Sequence, residues 1–446
     1  MNLEGFIKQT FHITDTKGKI MKNLFWAVLG KIVMLAGGLF VGVLVARYLG
    51  PEQYGLMNYV ISYVFLFQTI ALFGLDSIEV REEARAQKDM HAIIGTAFYL
   101  KLMLAVAAIA ASLVTAAIMG SDCNTIVMIA IYALSIIPNS FTVVRNYFTA
   151  IVDNEYVVKS EIARTLMGMG IKVILLLFHA PLIAFIAASA FDFFLLASGY
   201  AISYSSRIGS IREWTFDKHY AVFLMKESFP LLLTNAAVII YQRIDQVMIG
   251  QMIDNASVGF FSVASRIVEI LIFIPTILAH TIAPILVKAR EESVTDYEMK
   301  SRRFMSISIY ATLALSLATS LLAHWVILLL FGKSYLPAVI VLQILSFKAV
   351  SVALSNSAGC MLVAEGLQRY AICRDALGCI VCITLNLILL PRYGIVAAAW
   401  VAILSNIAAG YVADLFIPSY RHLFRMQSYA LFCGWKELFK TRQITQ

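Results

Sequence analysis

The sequence predicts an all-α integral membrane protein of about twelve transmembrane helices in two six-helix lobes, and three observations carry that expectation. First, 60% of the 446 residues are hydrophobic and 14% are charged, with a mean hydropathy of +0.81, whereas soluble domains carry about a quarter charged residues. Second, the apolar residues fall in runs long enough to cross a bilayer, each needing about 20 predominantly apolar positions. Third, the basic residues gather in brief clusters on alternate breaks between those runs.

Taken in order, the runs predict spans at 24–46, 54–75, 92–119, 125–148, 161–179 and 181–204, then a basic break, then 223–252, 257–286, 304–331, 335–364, 371–390 and 394–417. This divides the chain into a cytoplasmic N-terminal segment (1–22), an N-terminal lobe (23–206), a cytoplasmic linker (207–219), a C-terminal lobe (220–417) and a cytoplasmic amphipathic tail (418–446). The run after Lys17, Lys19 and Lys22 is too long for a signal-peptide core and lacks a small-residue cleavage site, so it reads as the first span.

Sidedness follows from Lys and Arg. The clusters at Lys8 to Lys22, Arg81 to Lys88, Arg207 to Lys226 and Lys288 to Arg303 share one side with Arg369, Arg374 and the basic tail, while the opposite breaks hold Arg47, Lys333 and Arg392. By the positive-inside rule both termini are expected in the cytoplasm. The same rule accounts for the net charge of +8, so no nucleic-acid partner is expected. The breaks on the outer side, such as 120–124 and 332–335, are a few residues each, too short to supply the acceptor loop of an external glycan polymerase or an integral-membrane glycosyltransferase. The six cysteines are scattered, and Cys379 with Cys382 reads as a packing pair on an apolar helix,. The tail interleaves Leu423, Phe424, Leu431, Phe432 and Trp435 with basic residues, a pattern for a helix lying on the membrane surface.

An internal repeat is visible at an offset of 204 residues, which lays LVARYLGPEQYGLMNYV (Leu44 to Val60) on MIGQMIDNASVGFFSVA (Met248 to Ala264) and Gly55 on Gly259. A looser likeness links His179 to Pro181 with Pro391 to Gly394. Six spans per half leaves both halves in one orientation, a parallel repeat.

Six basic residues fall inside predicted spans: Lys31, Lys101, Lys172, Arg243, Arg266 and Lys348. A charge at mid-bilayer costs about 3 kcal/mol on insertion scales, so these are expected to face protein or a hydrated cavity, with snorkelling an alternative for Lys31 and Lys101. Asp192, Asp245 and Glu269 oppose them and leave a positive surplus. Arg266 and Glu269, three apart, are expected to form a structural pair. Arg243 and Asp245, two apart, point to different faces. We therefore expect a cationic cavity between the lobes, with Arg243, Lys348, Lys31, Lys101 and Lys172 attracting an anionic headgroup. His280 and His324 read as hydrogen-bonded packing residues. No HExxH, nucleotide-binding glycine loop, triad or metal-ligand spacing occurs, so the reading is a non-enzyme without a cofactor. Its energy would come from a proton or sodium gradient, with Asp245 the first acid to test and Asp192 a second.

Four stretches carry a family likeness: GLFVGVLVARYLGPEQYGLMNYV (Gly38 to Val60), GLDSIEVREEA (Gly74 to Ala84), YQRIDQVMIG (Tyr241 to Gly250) and NLILLPRYGIVAAAW (Asn386 to Trp400). Together they resemble the Wzx-type polysaccharide repeat-unit flippases, the O-antigen and capsule transporters of the multidrug/oligosaccharidyl-lipid/polysaccharide exporter superfamily. The resemblance implies a MATE-like V of two lobes in the bacterial inner membrane. It implies alternating access and transfer of an undecaprenyl-pyrophosphate-linked oligosaccharide to the periplasmic leaflet, alongside membrane lipids and polysaccharide polymerase machinery as partners. It also implies gating or cavity roles for Asp76, Arg81, Arg243 and Asp245. A lipid II or other polyprenyl-glycan flippase, or a multidrug exporter, would share the scaffold; the cationic surplus disfavours an exporter of cations.

Overall fold

The computed structural model describes residues 15–85 and 90–439, and the side chains of these except 15–33, 35, 36, 369, 438 and 439. Every regular element among the described residues is helical. They are α1 (Asp15–Leu72), α2 (Leu75–Arg85), α3 (Met90–Ile118), α4 (Cys123–Ala133), α5 (Thr142–Ala150), α6 (Glu155–Leu177), α7 (Leu182–Arg207), α8 (Lys218–Met252), α9 (Asn255–Glu292), α10 (Val294–Leu330), α11 (Ala338–Leu345), α12 (Lys348–Ala364), α13 (Ala371–Ile407), α14 (Ala413–Phe416), α15 (Arg421–Cys433) and α16 (Trp435–Phe439).

Nine helical stretches among the described residues are long and apolar enough to cross a membrane. Two of them contain a glycine in the left-handed region, Gly50 (φ 72°) and Gly394 (φ 61°), each with a nearby proline, Pro51 and Pro391. Glycine alone adopts that conformation without a Cβ penalty, so α1 and α13 each divide into two spans. The charged helix α6 adds one more, and the total among the described residues is twelve. His179, before α7, also has a positive φ of 50°, so both members of the looser sequence likeness interrupt helical continuity.

The chain forms two compact units. Among the described residues, unit 1 holds 15–45, 64–85 and 90–232, and unit 2 holds 46–63 and 233–439. This differs from the expected boundary in a linker at 207–219. That segment is packed into unit 1: Trp214 is buried, Thr215 N donates to His91 O (3.3 Å), and Asp217 N donates to Thr96 Oγ1 (2.9 Å). The first half of α8 follows it, held by the Arg81–Glu227 ion pair at 3.0 Å. The changeover lies next to Pro230, where the helix lacks a backbone donor,.

Unit 1 has a core of Leu75, Ile94, Leu100, Val144, Phe148, Tyr200, Tyr204 and Trp214. In unit 2, α9, α10 and α12 meet through Leu286, Met305, Ile309, Leu354 and Met361. Their seams are rich in buried serines: Ser316 Oγ donates to Ser346 O (2.8 Å), and Ser357 is fully buried. Small residues allow the close helix approach that packing in lipid requires. The outer face of α10 carries exposed Leu321, Trp325 and Leu329, suited to acyl chains.

Within unit 2 the repeat becomes a contact. A Cβ on Gly55 would strike Asn255 O, and one on Gly259 would strike Pro51 O. The 204-residue offset turns Gly55 into Gly259 and Pro51 into Asn255, so the two contacts are images of each other. Helix backbones cross here without room for any side chain.

The tail also departs from expectation. Helix α15 buries Leu423, Gln427 and Ala430 against unit 2, stacks Phe424 on Tyr411 at 4.6 Å, and receives a bond from Tyr310 to Leu431 O (2.8 Å). Its inner face is protein-packed rather than laid on a bilayer, while Phe432 and Trp435 remain exposed.

Candidate functional site

The charged stretch after the second span folds as α2, whose buried residues are Leu75, Ile78, Glu79 and Glu83. Their spacing of three, four and eight places them on one helix face, so two glutamates ride on the apolar stripe. Lys101 of α3 enters beside them with its side chain only 1% exposed. Its Nζ donates to Asp76 Oδ1 (2.8 Å), Glu79 Oε2 (2.9 Å) and Thr142 Oγ1 (3.1 Å), and lies 2.8 Å from Glu79 Oε1. From α5, Asn146 Nδ2 donates to Asp76 Oδ1 (2.9 Å) and Glu79 Oε2 (2.6 Å), and Arg145 Nη2 donates to Asp76 Oδ2 (2.9 Å).

This corrects the expected role of Lys101. An ammonium enclosed by two carboxylates neither snorkels nor meets a substrate headgroup; it neutralises charges that the fold has buried. Asp76 belongs to the same network. Arg81 points away from it, half-exposed, and pairs with Glu82 (2.9 Å) and Glu227 (3.0 Å). Lys172 pairs with Asp192 at 2.7 Å between α6 and α7, where Gly168 leaves space for the carboxylate. Lys172 is therefore bound to an acid rather than presented to an anion. The Lys31 side chain lies outside the described residues.

In unit 2 the charges are arranged differently. Arg243 Nη2 lies 3.4 Å from Glu269 Oε1, and Arg266 Nη1 lies 3.5 Å from Glu269 Oε2, so two guanidiniums share one carboxylate. All three side chains are roughly a third or more exposed. Asp245, two residues from Arg243, is buried on another face. Its Oδ1 accepts from Asn386 Nδ2 (2.7 Å) and from Cys382 Sγ (3.5 Å). Half-buried Lys348 lies within electrostatic range of it. Cys382 thus does more than pack, being a weak donor to a buried acid. His280 and His324 are exposed on their helices, contrary to the expected packing role. Among the described residues no group of three or more His, Cys, Asp or Glu side chains is placed to hold a metal ion.

The sequence reading missed Glu79, Glu83, Arg145, Asn146 and Asn386. Glu79 and Glu83 had a readable signal, since they continue the spacing of Leu75 and Ile78. Asn386 had none, because a lone Asn in an apolar run does not disclose its partner on another helix.

The family described as "Polysaccharide biosynthesis protein" matches residues 20–290. The capsular polysaccharide biosynthesis protein CapF of Staphylococcus aureus is 24% identical over 214 residues, 45% of this chain and 54% of that protein. The chain thus spans about half the length of that curated relative. Among solved structures, an inward-facing multidrug resistance MATE family transporter of the MOP superfamily aligns with a TM-score of 0.67 at 16% identity, covering 89% of this chain and 95% of that one. Lipid II flippase MurJ in an inward closed conformation aligns with a TM-score of 0.69 at 15% identity, covering 94% and 93%. A MOP superfamily transporter from Pyrococcus furiosus, described as having a binding pocket of reverse polarity, aligns at 0.62 and 15% identity over 93% and 97%. At these identities the likeness establishes the fold.

Proposed function

Since the chain belongs to the polysaccharide biosynthesis protein family and folds as a MOP-superfamily transporter rather than an enzyme, we propose that it flips undecaprenyl-pyrophosphate-linked oligosaccharide repeat units, of O-antigen or capsule type, from the cytoplasmic to the periplasmic leaflet. It would do so by alternating access in the bacterial inner membrane, with both termini in the cytoplasm, and would hand its product to polysaccharide polymerase machinery. The single observation that supports an anionic cargo is the sharing of Glu269 by Arg243 and Arg266. Planar guanidiniums bind phosphate oxygens in a bidentate manner, and half-exposed ones are accessible to a headgroup. Lys348 would add a third cation. The polyprenyl chain would remain among membrane lipids.

The same cations oppose the reading as an exporter of cationic drugs. Coupling to a proton or sodium gradient is assigned to Asp245, whose Oδ2 is buried without a hydrogen-bond partner. The test is reconstitution in vesicles with a defined polyprenyl-pyrophosphate oligosaccharide, scoring its accessibility to an external glycosidase with and without an ion gradient. Arg243→Gln and Lys348→Gln should each abolish flipping while membrane insertion stays normal. Wild-type flipping in both would remove the anionic-headgroup assignment.

A further inference from the structure

The ion-pair network of unit 1 does not balance. Asp76 is bonded to Lys101, Arg145 and Asn146, and Glu79 to Lys101 and Asn146. Glu83, one turn further along α2, is 2% exposed, and neither of its carboxyl oxygens has a hydrogen-bond partner. Three acids, Glu79 and Glu83 buried and Asp76 about a third exposed, therefore face two cations, and the surplus falls on Glu83. Lys101 is within electrostatic range of Glu83 but is bonded to the other two acids.

Among the described residues the groups around Glu83 supply no further cation. Tyr147 of α5, Tyr204 of α7 and Tyr220 of α8 come within range of its carboxyl. The hydroxyl of Tyr220 is itself buried and lacks a partner. Trp214 packs beside Tyr204, their ring centroids 5.2 Å apart. Glu213 and His91 at the adjoining segment lie 3.6 Å apart, and Arg81 is held by Glu82 and Glu227.

From this geometry we infer that Glu83 is a proton-binding site, taking one proton from the aqueous phase onto a carboxylate oxygen and returning it when the site opens. A bare carboxylate has no counter-charge in such a site, and a proton bound to it removes the uncompensated charge. A metal cation would need several oxygen ligands, yet Lys101 already occupies the neighbouring carboxylates. Buried ionisable groups in membrane transporters are natural carriers of protons, and this acid is separate from Asp245. Its use in driving transport rests on the flippase reading; its protonation does not.

Infrared difference spectroscopy of the full chain in lipid nanodiscs, titrated with pH, reads the protonated carboxyl directly and needs no cargo. The expected result is a protonated-acid carbonyl band that is lost in Glu83→Gln, shifted in Glu83→Asp and kept in Glu213→Gln, with Glu83→Gln taking up about one proton fewer per molecule. An unchanged band in Glu83→Gln overturns the site, and so does a band displaced when sodium replaces potassium. Should Glu83→Gln fail to fold, an unshifted band in Glu83→Asp overturns it equally. In flipping vesicles, Glu83→Gln should lose the acceleration given by a proton gradient and keep the undriven rate. If the wild type does not flip the oligosaccharide, the flippase reading fails while the band persists.

Discussion

The Lys101 network of unit 1 and the Arg243–Glu269–Arg266 group of unit 2 both set charge on membrane helices, but they use it in opposite ways. In unit 1, Lys101 is enclosed by Asp76 and Glu79 with Asn146 bracing both acids. In unit 2, Arg243 and Arg266 are half-exposed on either side of Glu269. The difference follows from desolvation: a fully buried ion is tolerated only with its counter-ion and hydrogen bonds in place, so Lys101 is committed to the fold. The arginines keep water contact and can exchange it for a ligand's phosphate oxygens.

The sharpest way to break this comparison is to remove the central cation on each side. Lys101→Met should leave the fully buried Glu79 carboxylate without its cation and destabilise unit 1 by about 3–5 kcal/mol, seen as a large loss of thermal stability in detergent. A variant as stable as wild type would show that the network is not a fold determinant. Arg266→Gln, by contrast, should change stability by no more than about 1 kcal/mol, because exposed pairs contribute little. Its flipping rate should fall, and a thermal loss equal to that of Lys101→Met would erase the distinction between the units.

The smallest effect is expected at the tail, where His422 Nε2 lies 2.7 Å from Glu365 and Tyr297 donates to the same carboxyl at 2.8 Å. The hydrogen bond to Glu365 raises His422 above its ordinary value. Burial works to raise Glu365, but the bonds from His422 and Tyr297 outweigh it and hold that carboxyl below its ordinary value. The histidine contribution is complete below its unfolded value of about 6.5 and is lost as pH rises through the folded one; the glutamate contribution is complete above about 4.3 and is lost as pH falls. Hydrogen-exchange protection of α15 should therefore be greatest at about pH 4.3–6.5 and decline on both sides. His422→Ala should flatten the profile, and an unaltered profile would mean that apolar packing alone docks the helix.

Much of this was legible in one dimension. Apolar runs located the spans because a bilayer demands about 20 such residues for each, and the offset of Gly55 and Gly259 marked an internal repeat, though not the backbone crossing that the two glycines make. The unit boundary was less legible, because the segment around Trp214 looks like a linker until its contacts with His91 and Thr96 are known. Charge was the least legible feature. Lys101 and Arg243 look alike in sequence, each a lone cation in an apolar run.

By itself, then, the sequence determined the solvent, the helix count, the repeat and a likeness to flippases, since these depend on composition and spacing along the chain. Only the tertiary structure decided which cations are consumed by buried acids, which stay accessible, and that Glu83 is left without a partner. Pairing energies depend on distance and burial, and residues such as Asp76 and Lys101, 25 positions apart, become neighbours only when helices pack.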